Sequence, residues 1–319
     1  MKKKISIVTG CYNEEENIEE FYRRVISVLE DRPEYDYEII VADNYSRDKS
    51  REILRSIADR DKKFKVIFNS RNFGPICSGY NAFMQAEGDA VILMSLDLQD
   101  PPEILSDFVR RWEEGYEVVV AVKKSSKENA LMKIVRKAYY RILSQASEGD
   151  YIIKDFTGFG LYGRKFMNAL KLYRDPIPYF RGFVSQIGFK RVEIEFEQPR
   201  RKHGKTKHNL LSLYDVAITG FVNHSRFPLK IAMFSGFMLA AVSFLVALGY
   251  LVYKIACWNT FTLGLAPLVI GMFFFSAVQL IFIGIIGEYI GAVLTQVKNR
   301  PLVIEEEKIN FQEREERKE

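Results

Sequence analysis

The stretch Ile5-Ser6-Ile7-Val8-Thr9-Gly10-Cys11-Tyr12-Asn13-Glu14-Glu15 is a short β-branched, apolar run that breaks off on polar and acidic residues. A run of this kind suits a strand covered on both faces. The pattern recurs in Glu38-Ile39-Ile40-Val41-Ala42-Asp43-Asn44-Tyr45-Ser46-Arg47-Asp48. It returns in Ala90 to Ser95, which leads into Leu96-Asp97-Leu98-Gln99-Asp100-Pro101-Pro102-Glu103, and a shorter strand is expected at Lys65–Phe68. Between the strands the apolar spacing is helical. Ile18, Phe21, Val25 and Val28/Leu29 mark a first helix, which Asn13-Glu14-Glu15-Glu16 is expected to cap with acids in its first turn. Further helices are expected around Lys49–Arg60, over Gly79–Glu87 and from Glu103 onward. Alternation of this kind predicts an α/β domain over residues 1–209 with a Rossmann-like, mostly parallel sheet. Such sheets bind ligands at the carboxyl ends of their strands. Tyr12/Asn13/Glu14, Asp43/Asn44 and Asp97/Gln99/Asp100 stand there, where a carboxylate can accept from a ribose or base, or hold a divalent ion.

The last third reads differently. The chain has 319 residues, 48% apolar and 27% charged, which excludes a wholly disordered polypeptide. Its mean hydropathy of −0.10 averages two unlike parts. Ile231 to Tyr253 is a run of 23 residues without a charge, and Ile255 to Gly287 is a run of 33. About 20 apolar residues cross a hydrocarbon core, so two transmembrane helices are predicted, at about 229–253 and 261–290. Ahead of them, apolar residues at 210, 211, 214, 217, 218 and 221 predict an amphipathic helix over 210–228, lying in the membrane interface or against the soluble domain. After them, residues 298–319 read as a solvated, mobile charged tail, with seven acids and four bases from Glu305 onward. Arg226 and Lys230 precede the first span and Lys298 and Arg300 follow the second, against Lys254 alone between them. The positive-inside rule therefore puts both termini in the cytoplasm. Three scattered cysteines exclude a disulfide framework and a thiolate metal site, and fit a reducing compartment. The basic start is followed by an apolar run too short for a signal-peptide core. A net charge of +5 is too mild to indicate nucleic acid.

Five segments narrow the reading: Tyr12-Asn13-Glu14-Glu15, Arg71-Asn72-Phe73-Gly74, Asp97 to Glu103, Tyr179-Phe180-Arg181-Gly182, and Arg201-Lys202-His203-Gly204-Lys205-Thr206-Lys207. In this order they resemble family 2 glycosyltransferases of the GT-A fold, and more narrowly the polyprenyl-phosphate glycosyltransferases with C-terminal membrane spans. The resemblance runs from Ile5 to Pro301. It implies that Tyr12, Glu14, Asp43 and Arg71 hold the donor nucleotide and that Asp97 and Gln99 hold Mg²⁺ or Mn²⁺. It also implies that Asp155 is the catalytic residue, as general base or to position the acceptor. Two departures stand out. The family's Asp-Asp-Gly-Ser is Asp43-Asn44-Tyr45-Ser46 here, and the first Asp of its Asp-x-Asp is Ser95, which inherits no carboxylate role. Because Mg²⁺ commonly keeps waters beside one or two carboxylates and substrate phosphates, Asp97, the Gln99 carbonyl and a diphosphate can suffice, with Ser95 or a water filling one place.

Anionic substrates also need cations. Arg201 and Lys207, either side of Gly204, are expected to bind phosphate, with Arg181 and Arg136 as further candidates. The resemblance implies inverting transfer of one sugar from a UDP-linked donor to undecaprenyl phosphate at the cytoplasmic face of the bacterial inner membrane. The product would serve cell-envelope glycan modification, with a separate flippase and a homotetrameric enzyme. Two rivals share the fold. One transfers to a diacylglycerol-type lipid alcohol, which would make Asp155 indispensable as a base. The other is a nucleotide-sugar-binding scaffold without catalysis, motivated by Asn44 and Ser95.

Overall fold

The computed structural model describes residues 2–124, 153, 155–173, 175, 178–199, 227–256, 265–298 and 300–311. The elements run β1 (Lys4–Cys11), α1 (Ile18–Glu30), β2 (Asp36–Asp43), α2 (Ser50–Arg60), β3 (Phe64–Asn69), α3 (Pro75–Met84), β4 (Ala90–Leu93) and α4 (Leu105–Glu113). They continue with β5 (Val118–Lys123), β6 (Phe156–Gly163), α5 (Arg164–Leu170), α6 (Phe180–Gln186), β7 (Arg191–Phe196), α7 (Phe227–Ala256), α8 (Leu265–Lys298) and β8 (Glu305–Ile309). One eight-stranded sheet has the order β7-β5-β6-β4-β1-β2-β3-β8. β4, β1, β2 and β3 run parallel, and β6 and β8 run against their neighbours. This is the mostly parallel GT-A type of α/β sheet that the sequence predicts.

Both faces are covered, as the uninterrupted apolar strands require. Ile5, Ile7, Ile39, Val41 and Val66 pack toward α1, α2 and α4, with Phe21, Leu54 and Phe108 fully buried among them. Val8, Ile40, Ala42, Ile67 and Val91 pack on the other side with Phe83, Phe166 and Phe183. Each such side chain contributes about 1.5–3 kcal/mol by leaving water. Gly160 on β6 is needed for packing, since a Cβ there would meet the Val119 carbonyl oxygen.

Three expectations need correction. α1 begins at Ile18 behind Asn17, so Asn13–Glu16 do not cap it. α3 starts at Pro75, ahead of the expected Gly79, because Gly74 turns the chain at φ +86° and proline presets the first helical residue. The charged tail is not simply solvated: Glu305–Ile309 forms β8, pairing Ile309 with Val66 and Lys308 with Ile67. Its acids are matched laterally. Glu307 takes both terminal nitrogens of Arg55 at 2.6 Å, Glu306 takes Arg51 at 2.6 Å, and Glu305 accepts from Asn81 and Gln85.

The described residues divide into two compact units, the sheet domain with residues 300–311, and the two long helices. α7 has 30 residues and α8 has 34, about 45 and 50 Å at 1.5 Å per residue. Both are long and apolar enough to cross a membrane, with spans Ile231–Ala256 and Ile270–Lys298 of mean hydropathy 2.3 and 2.2 and nothing buried. Phe234, Phe237, Phe273 and Leu280 are each at least two-thirds exposed, an apolar surface of the kind that meets a membrane or a partner protein. α8 runs eight residues past the expected end of its span, because no breaker intervenes before Pro301. The amphipathic helix expected over 210–228 lies outside the described residues, except that Phe227 and Pro228 already belong to α7.

Candidate active site

Strand register gathers the polar clusters. Cys11 lies opposite Asp43, Asp43 opposite Phe68, and Val8 opposite Leu93, so the loops after β1, β2, β3 and β4 leave one edge of the sheet. β6 runs the other way, pairing Gly160 with Leu93 and Phe156 with Val122. Its first end therefore lies at that same edge and brings Asp155 there. Tyr12, Glu14, Asp43, Asp97, Gln99 and Asp155 are thus assembled along one carboxyl edge, with Arg71 on the adjoining loop.

Backbone strain concentrates at these loops. Asn13 (φ 53°), Tyr45 (φ 68°), Leu98 (φ 60°) and Asp155 (φ 56°) are left-handed without being glycine. Each costs on the order of 1 kcal/mol or more, and such residues persist where the surroundings over-determine them. The fifth among the described residues, Asn310, is in the tail, where its side-chain amide donates to Ala58 and Phe64 carbonyls.

The loops after β1 and β2 are stitched together. The Asn13 amide donates to Ser46 Oγ at 2.9 Å, and the Arg47 amide returns to Asn13 Oδ1 at 2.8 Å. The Glu14 amide donates to Ser50 Oγ at 3.0 Å, while Glu15 accepts from the Lys49 amide at 2.8 Å. These bonds occupy the polar groups that a helix cap would have used, which explains the first correction. Glu14 also accepts from Asn17 Nδ2 at 2.6 Å.

Asp43 ends β2 fully buried, accepting from the Ser46 amide at 3.2 Å, with Arg51 Nε 3.5 Å away. Burial pushes its carboxyl above the usual range, and Ser46 and Arg51 work against that. Asn44 has a different duty. Its Nδ2 donates to Asn72 Oδ1 at 2.9 Å, and its Oδ1 accepts from the Phe73 amide at 2.9 Å and Asn69 Nδ2 at 3.2 Å. A carboxylate could not donate to Asn72, so the departure from the family's second Asp has a structural reason. Arg71 is exposed, donates to the Asn72 carbonyl at 3.1 Å, and lies 3.9 Å over the Phe73 ring.

The loop after β4 turns at Leu98. The Gln99 amide donates to Asp97 Oδ1 at 3.2 Å and the Ser95 amide to Asp100 Oδ2 at 2.8 Å. Asp100 is buried, and burial raises its carboxyl, with Ser95 opposing. It braces the turn from inside, leaving half-buried Asp97 and Gln99 and exposed Ser95 nearer solvent. Their oxygens form a hard donor set. Among the described residues no three His, Cys, Asp or Glu gather to hold an ion unaided. With a single carboxylate among those oxygens, the set fits a small divalent ion only if waters or substrate phosphates fill its remaining positions. At the end of β5 the Lys123 amide donates to the Asp155 carbonyl at 3.2 Å. Arg181 is exposed on α6, beside Phe180, which packs edge-on against Phe83 and Tyr162 at 5.0 Å. Arg136, Arg201 and Lys207 lie outside the described residues. Asn44, Ser46 and Asp100 stand in the quoted clusters, but their bracing roles, and Ser50 altogether, were missed, because their partners lie on other loops or inside the turn.

Residues 6–170 match the family model described as glycosyl transferase family 2. An uncharacterized glycosyltransferase of Bacillus subtilis, YkcC, is 36% identical over 300 residues, covering 94% of this chain and 92% of its own. The SfII prophage-derived bactoprenol glucosyl transferase of Shigella flexneri is 31% identical over 302 residues, covering 94% and 97%. Among solved structures, a mannosyltransferase of Pyrobaculum calidifontis in complex with GDP-Man and Mn²⁺ aligns at 14% identity with a TM-score of 0.45, covering 94% of this chain and 88% of that one.

Proposed function

This chain belongs to glycosyl transferase family 2, and from that membership we propose a membrane-anchored, inverting enzyme. It moves one sugar from a UDP-linked donor to undecaprenyl phosphate at the cytoplasmic face. The observation that best supports this is the meeting of four strained loops on one sheet edge, carrying Tyr12, Glu14, Asp43, Asp97 and Asp155. Tyr12, Glu14, Asp43 and Arg71 take the nucleotide, and Asp155 faces the acceptor.

An acceptor phosphate oxygen bonds to the anomeric carbon as the bond from that carbon to the donor diphosphate breaks, so the configuration inverts and UDP leaves. A phosphate monoester has a second pKa near 6 and is largely ionised at pH 7. Asp155 therefore orients the acceptor and needs to remove little proton. Mg²⁺ or Mn²⁺ held by Asp97 and Gln99 would neutralise charge developing on the diphosphate. Arg201, Lys207, Arg181 and Arg136 supply cations for the phosphates.

The membrane reading rests on α7 and α8. β8 follows α8 and pairs with β3, so the chain before the first crossing and after the second belongs to one folded domain. Two crossings return the chain to its starting side, as that pairing requires. Lys298 and Arg300 favour the cytoplasm for that side. The bactoprenol glucosyl transferase relatives make UDP-glucose the first donor to assay. In detergent, UDP release should require undecaprenyl phosphate and yield a phosphate-linked glycolipid. Release that depends on diacylglycerol and ignores the lipid phosphate would overturn the proposal.

A further inference from the structure

We propose that Arg51 is a positioning residue for the donor site, itself held by strand β8, so that nucleotide binding depends on the segment following the second long helix. The inference rests on the reading of Asp43 as a nucleotide ligand. Three elements distant in sequence form the connection. Asp43 ends β2, Arg51 lies in the first turn of α2, and Glu306 lies on β8. Arg51 Nη2 reaches Glu306 Oε2 at 2.6 Å, while its Nε stops 3.5 Å from Asp43 Oδ2. The guanidinium is further fixed by lying 4.7 Å over the Phe68 ring and 5.9 Å from that of Tyr45.

The unequal distances matter. At 3.5 Å the Asp43–Arg51 contact is too long for a strong hydrogen bond. Arg51 steadies a fully buried charge while leaving its oxygens able to accept from a ligand. Glu306 holds the guanidinium at that separation. Without Glu306, the long side chain either regains rotamer freedom toward solvent or closes onto Asp43 and takes its acceptor capacity. Both outcomes weaken nucleotide binding.

A matched internal control is present. Arg55 and Glu307 make a similar pair one turn along, two bonds of 2.6 Å with Arg55 4.4 Å over the same Phe68 ring, but neither contacts Asp43 in this structure. A merely structural tail would treat the two pairs alike.

The experiment is UDP titration calorimetry on the full chain in detergent, with donor and acceptor kinetics alongside. Arg51→Gln should weaken UDP binding and raise donor KM about tenfold, with kcat and acceptor KM within about twofold. Glu306→Gln should move both in the same direction by about three- to tenfold, and Arg51→Lys should recover part of the loss. Glu307→Gln should leave UDP affinity within about twofold while lowering Tm as much as Glu306→Gln. Equal effects of the two glutamate changes on UDP affinity would overturn the inference, as would normal UDP binding by Arg51→Gln. Asp43→Asn separates the two readings. If it abolishes UDP binding while Arg51→Gln and Glu306→Gln do not weaken it, only the positioning role fails. If Asp43→Asn binds UDP normally, the donor-site reading fails and takes the inference with it.

Discussion

The backbone amide of Asn13 donates to the Ser46 hydroxyl at 2.9 Å, joining two loops 33 residues apart. Ser46 also gives its own backbone amide to Asp43, so one residue holds the strained turn after β1 through its hydroxyl and the carboxylate ending β2 through its main chain. Ser46→Ala leaves the Asn13 amide without that partner in a partly buried place. A loss of about 1–2 kcal/mol is expected, read as a lower Tm and roughly five- to thirtyfold weaker UDP binding. Unchanged UDP affinity would mean that the turn holds without the bond.

Asn44→Asp would restore the residue the family usually carries, yet it should harm this protein. The Asn44 Nδ2 bond to Asn72 is lost, and a carboxylate oxygen then faces Asn72 Oδ1 at a site where Asn44 is 4% exposed. Destabilisation of about 1–3 kcal/mol is expected from chemical denaturation. A neutral result would show that Asn72 turns its amide to compensate.

Asp97 and Ser95 should respond in opposite ways. Asp97→Ala should lower turnover about a hundredfold or more, and chelator should abolish activity that Mg²⁺ or Mn²⁺ restores. Ser95→Asp should tighten Mn²⁺ binding measured without nucleotide, because it adds a second carboxylate to the turn. Full turnover in excess EDTA would remove the metal from the reaction.

The tail should loosen in acid. Hydrogen bonds from Arg55 hold the Glu307 carboxyl below its ordinary 4.5. Burial opposes the same shift at Glu305, but bonds from Lys308, Asn81 and Gln85 outweigh it. A carboxyl whose folded pKa is depressed contributes stability above its unfolded value, and that contribution is lost as pH falls through the folded value. Amide protection along β8 should therefore drop selectively once pH goes below 4.5. The Tm difference between wild type and Glu307→Gln should shrink over the same window. An equal difference at neutral and strongly acidic pH would contradict the assignment.

Sidedness can be read with single cysteines. An impermeant thiol reagent added outside cells should label a probe at Asn259, between the two spans, and miss one at Ser70 on the sheet domain. The reverse labelling would move the reaction to the other face of the membrane.

The first four strands and their carboxyl-edge clusters were legible because each strand is apolar on both faces and ends on a polar break. The two long helices were legible because lipid imposes a length and excludes charge. What the sequence concealed depends on partners far along the chain. Glu305-Glu306-Glu307-Lys308 reads locally as a solvated run, and becomes a strand because Arg51, Arg55, Asn81 and Gln85 meet its acids. The resemblance indicated Asp155, but only the reversed direction of β6 explains how a residue so far from β1 reaches the same edge. Asn44 looked like a lost carboxylate, since a donor's need for an acceptor on another loop leaves no local mark.

The pairing of β3 with β8 also sets an order of events at the ribosome. Val66 meets Ile309, so the edge of β3 is complete only after both long helices have been synthesised. At translation rates of about 5–20 residues per second, that edge waits on the order of ten seconds or more. During that interval a newly made chain presents unpaired strand backbone, of the kind that seeds aggregation or recruits chaperones. Both long helices are thus made before the sheet closes, and a chain stalled between them would retain an open β3 edge.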